Sequence, residues 1–282
     1  MTPSESSRPT PFSMGPALLF CPADRPERFG KAADRADAVI LDLEDAVAPD
    51  AKAAARHHLT TASLDPRRTI VRINAASTAD FDLDLDALVA TPYRTVMLAK
   101  AESPAQVRRL AGFDVVVLCE TAAGVLNAAA IAAEPNVVAL MWGAEDLVAS
   151  LGGTSSRADD SGYRAVALHA RSTVLLAAGA FGKAAIDAVY TAIGDLDGLA
   201  AEAADAVASG FAAKACIHPS QAAPVREAYQ PTPEAVDAAR ELLAASEAAG
   251  TGVFQHRGRM IDGPILRHAE ALLRRAGRSA EL

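Results

Sequence analysis

The sequence predicts a (β/α)8 barrel, a TIM-barrel α/β fold, on three observations. Eight short apolar runs recur along the chain: Leu18–Ala23, Ala38–Glu44, Thr69–Asn74, Thr95–Lys100, Val115–Glu120, Val137–Gly143, Ala184–Tyr190 and Phe211–His218. They are rich in Val, Ile, Leu and Ala without strict alternation, as parallel strands buried on both faces are. Helix-compatible stretches follow most of them, and polar or charged residues close them where a barrel strand opens onto its active-site face. The terminal residues Glu44, Asp45, Arg72, Lys100, Glu120 and Asp146 are therefore expected in one pocket.

A chain of 282 residues without an internal Pro/Gly/Ser-rich linker fits one barrel with a surplus. The expected organisation is a flexible tail over residues 1–16, a catalytic barrel over 17–230 and a helical extension over 231–282, a lid for its own site or a neighbour's. The first sixteen residues lack the apolar stretch of a secretion signal. No run reaches the roughly 18 apolar residues of a membrane span, so a cytoplasmic protein with no membrane partner is expected. A net charge of −8 with dispersed Lys and Arg argues against nucleic acid. Cys21, Cys119 and Cys216 fall inside predicted strands and read as reduced packing residues.

The helices are placed by caps. Asp24 is a candidate N-cap for a helix from Pro26 toward Ala36, with Pro26 at the first helical position. Asp50 serves the helix through Lys52 and Arg56, Ser103-Pro104 opens another, and Thr121 starts an Ala-rich helix ending near Ala133. The patch Leu151–Ser156 reads as a mobile loop over the barrel mouth, followed by a helix from about Tyr163 to Ala180. Two helices, Glu234–Glu247 and Pro264–Ala276, form the extension around a Gly-rich joint.

Glu120 and Asp146 close or follow consecutive strands, and two hard oxygen donors with no His or Cys beside them suit Mg2+. The alternative is that each caps a helix or pairs with Lys or Arg. Arg72, in an apolar strand end, needs an anionic partner, which is a ligand carboxylate or else Glu44 or Asp45. Asp42, Glu44 and Asp45 need cations in turn, and Lys100 is a candidate, as is a metal-bound water, with Glu44 behind the reacting groups. Lys100 as a Schiff-base amine requires a lowered pKa that nearby acids oppose. His218 reads as acid, base or packed imidazole, Trp142 as a core or rim residue, and His57-His58 lacks metal-ligand spacing.

The stretches Leu19–Phe29, Val39–Val47, Val71–Asn74, Met97–Glu102, Glu120-Thr121, Trp142–Leu147 and Cys216–Gln221 together resemble the HpcH/HpaI aldolase and citrate lyase family, above all its stand-alone citrate lyase β-subunit-like members. The resemblance implies Mg2+ on Glu120 and Asp146, and Arg72 and Glu120 on a 2-oxo acid. It implies Arg25 on CoA or substrate, with a capping ion pair as its alternative. Asp262, in Gly258–Pro264, is implied as catalytic acid/base, and Glu44 counts with the catalytic groups. The implied activity is a carbon–carbon lyase or Claisen-type reaction on a 3-hydroxy-acyl thioester (citryl-, malyl- or citramalyl-CoA), with oxaloacetate, glyoxylate or pyruvate and acetyl-CoA. A homo-oligomer, trimer or hexamer, with Asp262 supplied to a neighbouring subunit, is implied by analogy. The rivals are a carrier-dependent or non-catalytic subunit, a metal-dependent aldolase on free hydroxy-oxo acids, and a Schiff-base aldolase. Ala99 departs from the family's usual Pro before Lys100.

Overall fold

The computed structural model describes residues 12–159 and 162–280. The chain divides into two compact units, one through Val225 and one from Arg226. In the first, β1 (Ala17–Pro22), β2 (Ala38–Asp42), β3 (Thr69–Ile73), β4 (Thr95–Leu98), β5 (Asp114–Cys119), β6 (Val137–Trp142), β7 (Ala184–Asp187) and β8 (Ala213–Cys216) close a parallel barrel in sequence order. The seam pairs β1 with β8 through Ala17 and Lys214.

Every residue of β2, β3, β4, β6 and β8 is buried, which is why these runs read as continuous apolar stretches. Alternate residues fill the interior, among them Ile40, Ile70, Leu118 and Met141. Two positions further on stand Asp42 and Arg72, within β2 and β3, and Glu120 and Gly143, just past β5 and β6. Side chains on a strand repeat every two residues, so the periodicity that packs the core also aims these at the barrel mouth. The strands stop one to three residues short of the predicted ends.

The connecting helices are α1 (Phe29–Arg35), α2 (Lys52–Thr61), α3 (Asp80–Val89), α4 (Pro104–Arg108), α5 (Ala122–Leu126), α6 (Ala128–Ala132), α7 (Ala144–Ser150), α8 (Ala165–Ala180), α9 (Leu196–Ser209) and α10 (Ala222–Tyr229). Ser103 forms the expected start of α4 through a capping box with Gln106. Thr121 caps α5, accepting from the Gly124 amide at 3.1 Å. The predicted single helix to Ala133 is two, because Asn127 leaves helical geometry and donates to the Glu102 carbonyl at 2.8 Å.

Two expected caps are corrected. A 3-10 turn (Pro26–Arg28) precedes α1 with Arg25 at its N-cap, and Asp24 makes no cap. Asp50 likewise lies inside a 3-10 turn (Pro49–Ala51). Of the expected tail, residues 1–11 lie outside the described residues, while Phe12 and Met14 pack against the interior cluster. In the Leu151–Ser156 patch, whose residues 151–155 are exposed, the Gly153 amide donates to Val148 at 2.9 Å and the buried Ser156 hydroxyl to Glu145 Oε1 at 2.6 Å.

Outside the barrel wall, Asp187 accepts from Trp142 Nε1 at 2.8 Å, Arg171 Nε at 2.9 Å and Lys214 Nζ at 2.9 Å. Asp187 and Lys214 are fully buried, and Lys214 also reaches Glu202 at 2.9 Å. Burying such charges costs several kcal/mol unless they are paired; here Asp187 accepts from three donors, and Lys214 donates to Asp187, to the Ala188 carbonyl and to Glu202.

The second unit contains α11 (Pro233–Ala249), a hairpin of β9 (Phe254–His256) and β10 (Arg259–Ile261), and α12 (Gly263–Ala280). The hairpin was not expected; its turn, Arg257-Gly258, has φ of +48° and +77°, the geometry a two-residue hairpin favours. Among the described residues no helix is long and apolar enough to cross a membrane.

Candidate active site

The site is assembled from strand ends. Asp42 and Arg72 are register partners on β2 and β3. Arg72 Nε and Nη2 donate to the two Asp42 oxygens at 2.6 and 2.5 Å. Nη1 lies 3.0 Å from Glu44 Oε2, and the Phe20 ring covers the guanidinium at 4.8 Å. Burial alone would make Arg72 easier to deprotonate, but Asp42 and Glu44 hold it firmly charged. Its partners are thus Asp42 and Glu44, where the sequence offered Glu44 or Asp45.

Glu44 is buried, which raises its pKa against the opposing pull of Arg72 and Lys100. The Lys100 ammonium bonds Glu44, sits 2.8 Å from Asp45 Oδ2 and lies 3.5 Å from Asp146 Oδ1. Burial lowers the pKa of Lys100, but the Asp45 and Glu44 bonds outweigh it and keep the amine protonated. The stem of this loop is fixed from below: Lys52 Nζ donates to the Leu43 and Glu44 carbonyls at 3.0 and 3.2 Å and to Asn74 Oδ1 at 2.5 Å.

Glu120 follows β5 and is 2% exposed. Burial, and then the neighbouring Asp146 carboxylate, push its pKa up to about 8. Its room exists because residue 143 is glycine: a Cβ there would fall 2.8 Å from Glu120 Oε2 and 2.9 Å from Glu120 Cβ. Asp146 stands in the first turn of α7. Both carboxylates line one cavity of about 190 Å3 with Asp42, Arg72 and Glu145 on its polar side and Phe20, Leu118, Met141, Val189 and Ile217 on its apolar side. Two mutually repelling carboxylates, one buried in a notch that a single methyl would fill, fit a hard divalent cation that offsets the repulsion. Among the described residues no cluster of three or more His, Cys, Asp or Glu is arranged for a metal, so the protein offers a pair and not a cage.

The structure therefore brings together Arg72, Glu44, Lys100, Glu120 and Asp146. Arg25 stands apart, its side chain 56% exposed and 3.7 Å from Asp24. Asp262 belongs to the second unit, directly before α12. His218 caps a 3-10 turn through Nδ1, 2.8 Å from Ser220 Oγ, and Trp142 is buried against Tyr163 at 5.1 Å. Sequence reasoning passed over Asp42 as the partner of Arg72; the strand register carries that signal.

An eight-stranded parallel barrel whose mouth gathers a clamped arginine and a pair of hard carboxylates defines the class of (β/α)8 proteins that carry a candidate site at the carboxyl ends of their strands. The chain belongs to the HpcH/HpaI aldolase/citrate lyase family, whose model matches residues 17–219. It is 59% identical over 263 residues to a citrate lyase subunit beta-like protein of Mycobacterium tuberculosis, covering 93% of this chain and 96% of that one. The mitochondrial citramalyl-CoA lyase of Mus musculus is 34% identical, covering 91% and 84%. The crystal structure of CitE from Mycobacterium tuberculosis with magnesium, acetoacetate and coenzyme A superposes with a TM-score of 0.90 at 58% identity, covering 94% of this chain and 99% of that chain.

Proposed function

We propose that this protein is a Mg2+-dependent carbon–carbon lyase that cleaves a 3-hydroxy-acyl-CoA thioester into a 2-oxo acid and acetyl-CoA, or runs the reverse Claisen-type condensation. The observation that carries the reading is the Glu120 carboxylate, seated in the Gly143 notch beside Asp146 and facing the cavity that Arg72 lines. Relatives described as a citramalyl-CoA lyase and as a magnesium- and CoA-binding CitE support it.

Mg2+ held by Glu120 and Asp146 supplies Lewis-acid polarisation of the oxo-acid oxygen. Arg72 has five N–H groups, and those not given to Asp42 or turned to Glu44 are left for the carboxylate or oxo oxygen of the substrate. Glu44 steadies Arg72 and Lys100 together. In cleavage the bond between the hydroxyl-bearing carbon and the thioester α-carbon breaks, the hydroxyl loses its proton and the α-carbon gains one. Asp262 is assigned that carbon proton, returning it in cleavage and removing it in condensation. Arg25 is assigned to CoA, and the working form to a homo-oligomer, trimer or hexamer.

Purified protein assayed with citryl-, malyl- and citramalyl-CoA, with and without EDTA, tests the reading. Turnover of at least one thioester, lost on chelation and in Asp146→Ala together with Mg2+ binding, is expected. Activity that survives complete chelation overturns it. Mixing Asp262→Asn with Asp146→Ala chains restores turnover only if Asp262 serves a neighbouring chain.

A further inference from the structure

We propose that Asp42 is the positioning residue that sets the direction in which Arg72 meets substrate, an inference that rests on the reading of Arg72 given above. Asp42 is the last residue of β2 and is 1% exposed. Each of its oxygens accepts twice. Oδ1 takes Arg72 Nε at 2.6 Å and the Glu44 amide at 2.9 Å, and Oδ2 takes Arg72 Nη2 at 2.5 Å and the Ala46 amide at 3.1 Å.

These four bonds do two things at once. The carboxylate grips the side edge of the guanidinium, Nε with Nη2, so the end edge carrying Nη1 is turned away from it. The same oxygens fix the backbone of residues 44–46, which delivers Glu44 to Nη1 at 3.0 Å. Glu44 cannot substitute as the anchor, because its buried Oε2 meets Nη1 as a charge without an aligned hydrogen bond. Phe20 stacks over the plane at 4.8 Å and restricts tilting, but it leaves rotation within the plane free. Among the described residues the paired contact of Asp42 is what stops that rotation. Holding β2 to β3 does not require it, since the ladder from Val39–Thr69 to Asp42–Arg72 already joins the strands.

A double-mutant cycle on oxo-acid affinity tests this, using whichever of pyruvate, glyoxylate and oxaloacetate binds the unsubstituted Mg2+-loaded protein most tightly. Asp42→Asn preserves shape while removing the paired charge, and it should weaken binding at least tenfold. Arg72→Met should weaken it at least tenfold, and the double variant should bind within twofold of Arg72→Met alone. A purely structural Asp42 would lower the melting temperature yet leave the two effects on affinity multiplicative. Multiplicative effects, or an Asp42→Asn protein with unchanged affinity, overturn the inference and leave Arg72 as a substrate residue. An Arg72→Met protein that binds as tightly as the unsubstituted one overturns both. Should Asp42→Asn not fold, the unsubstituted protein still decides. A slowly exchanging Nε–H resonance of Arg72, assigned by its loss in Arg72→Lys, is expected, and rapid exchange with water refutes the clamp.

Discussion

The backbone amide of Lys100 donates to Glu120 Oε1 at 3.1 Å, while the ammonium of the same residue lies 3.5 Å from Asp146 Oδ1. Lys100 has φ of +49°, a left-handed conformation that costs a non-glycine residue about 1 kcal/mol or more. That turn lets one residue address both carboxylates, from its main chain and from its side chain.

An amine embraced by Glu44, Asp45 and Asp146 stays charged and is a poor nucleophile toward a carbonyl. Borohydride reduction in the presence of a 2-oxo acid should therefore leave Lys100 unmodified by intact-mass and peptide analysis. A reduced adduct on Lys100 would establish the Schiff-base route instead.

Gly143→Ala should cut Mg2+ affinity at least tenfold in a calorimetric titration, because the new methyl takes the space of the Glu120 carboxyl. Gly179→Ala on α8 is the matched control. Nothing lies within 4 Å of a Cβ there, so metal affinity should not change and helix stability should rise by about 0.5–1 kcal/mol. Equal metal affinity in both variants would remove the notch from the argument.

Asp187→Asn should destabilise the protein by about 3 kcal/mol, since Lys214 and Arg171 lose their shared anion. Burial alone would raise the Asp187 pKa, but Lys214 and Arg171 hold it below the ordinary carboxylate value. A carboxylate depressed in the folded state contributes stability that is fully present above its unfolded pKa and is lost as pH falls through the folded one. Thermal melts of the two proteins should differ by a constant amount from neutral pH down to about pH 4, and converge below it. A gap that widens on acidification contradicts this.

Ser156→Ala removes the hydroxyl that ties the 151–156 segment to Glu145, at a cost of about 1 kcal/mol. Faster amide exchange at Gly152 and Gly153 is the expected readout, with Ser156→Thr restoring protection. Unchanged exchange would mean that the backbone bonds to the Val148 and Ala149 carbonyls hold the segment without the hydroxyl.

The barrel was legible because its strands are buried on both faces, so composition alone outlines them, and their two-residue repeat points Arg72 and Glu120 at the mouth. What escaped depends on pairing between strands. Asp42 could be matched to Arg72 only through the register of β2 against β3. Lys214, in Ala213–Cys216, gives no hint that it meets Asp187 on the neighbouring strand and Glu202 on α9. The Phe254–His256 and Arg259–Ile261 strands are too short to show alternation. Asp24 has the composition of a cap, but Pro26 imposes a 3-10 turn that begins one residue later.

The acids around the opening, Asp42, Glu44, Asp45, Glu120 and Asp146, outnumber its cations, Arg72 and Lys100. A bare dianionic or monoanionic guest approaching this rim meets like charge before it meets the arginine. Loading should accordingly be sequential, the divalent ion entering first and offsetting much of that negative charge, and the organic acid following it.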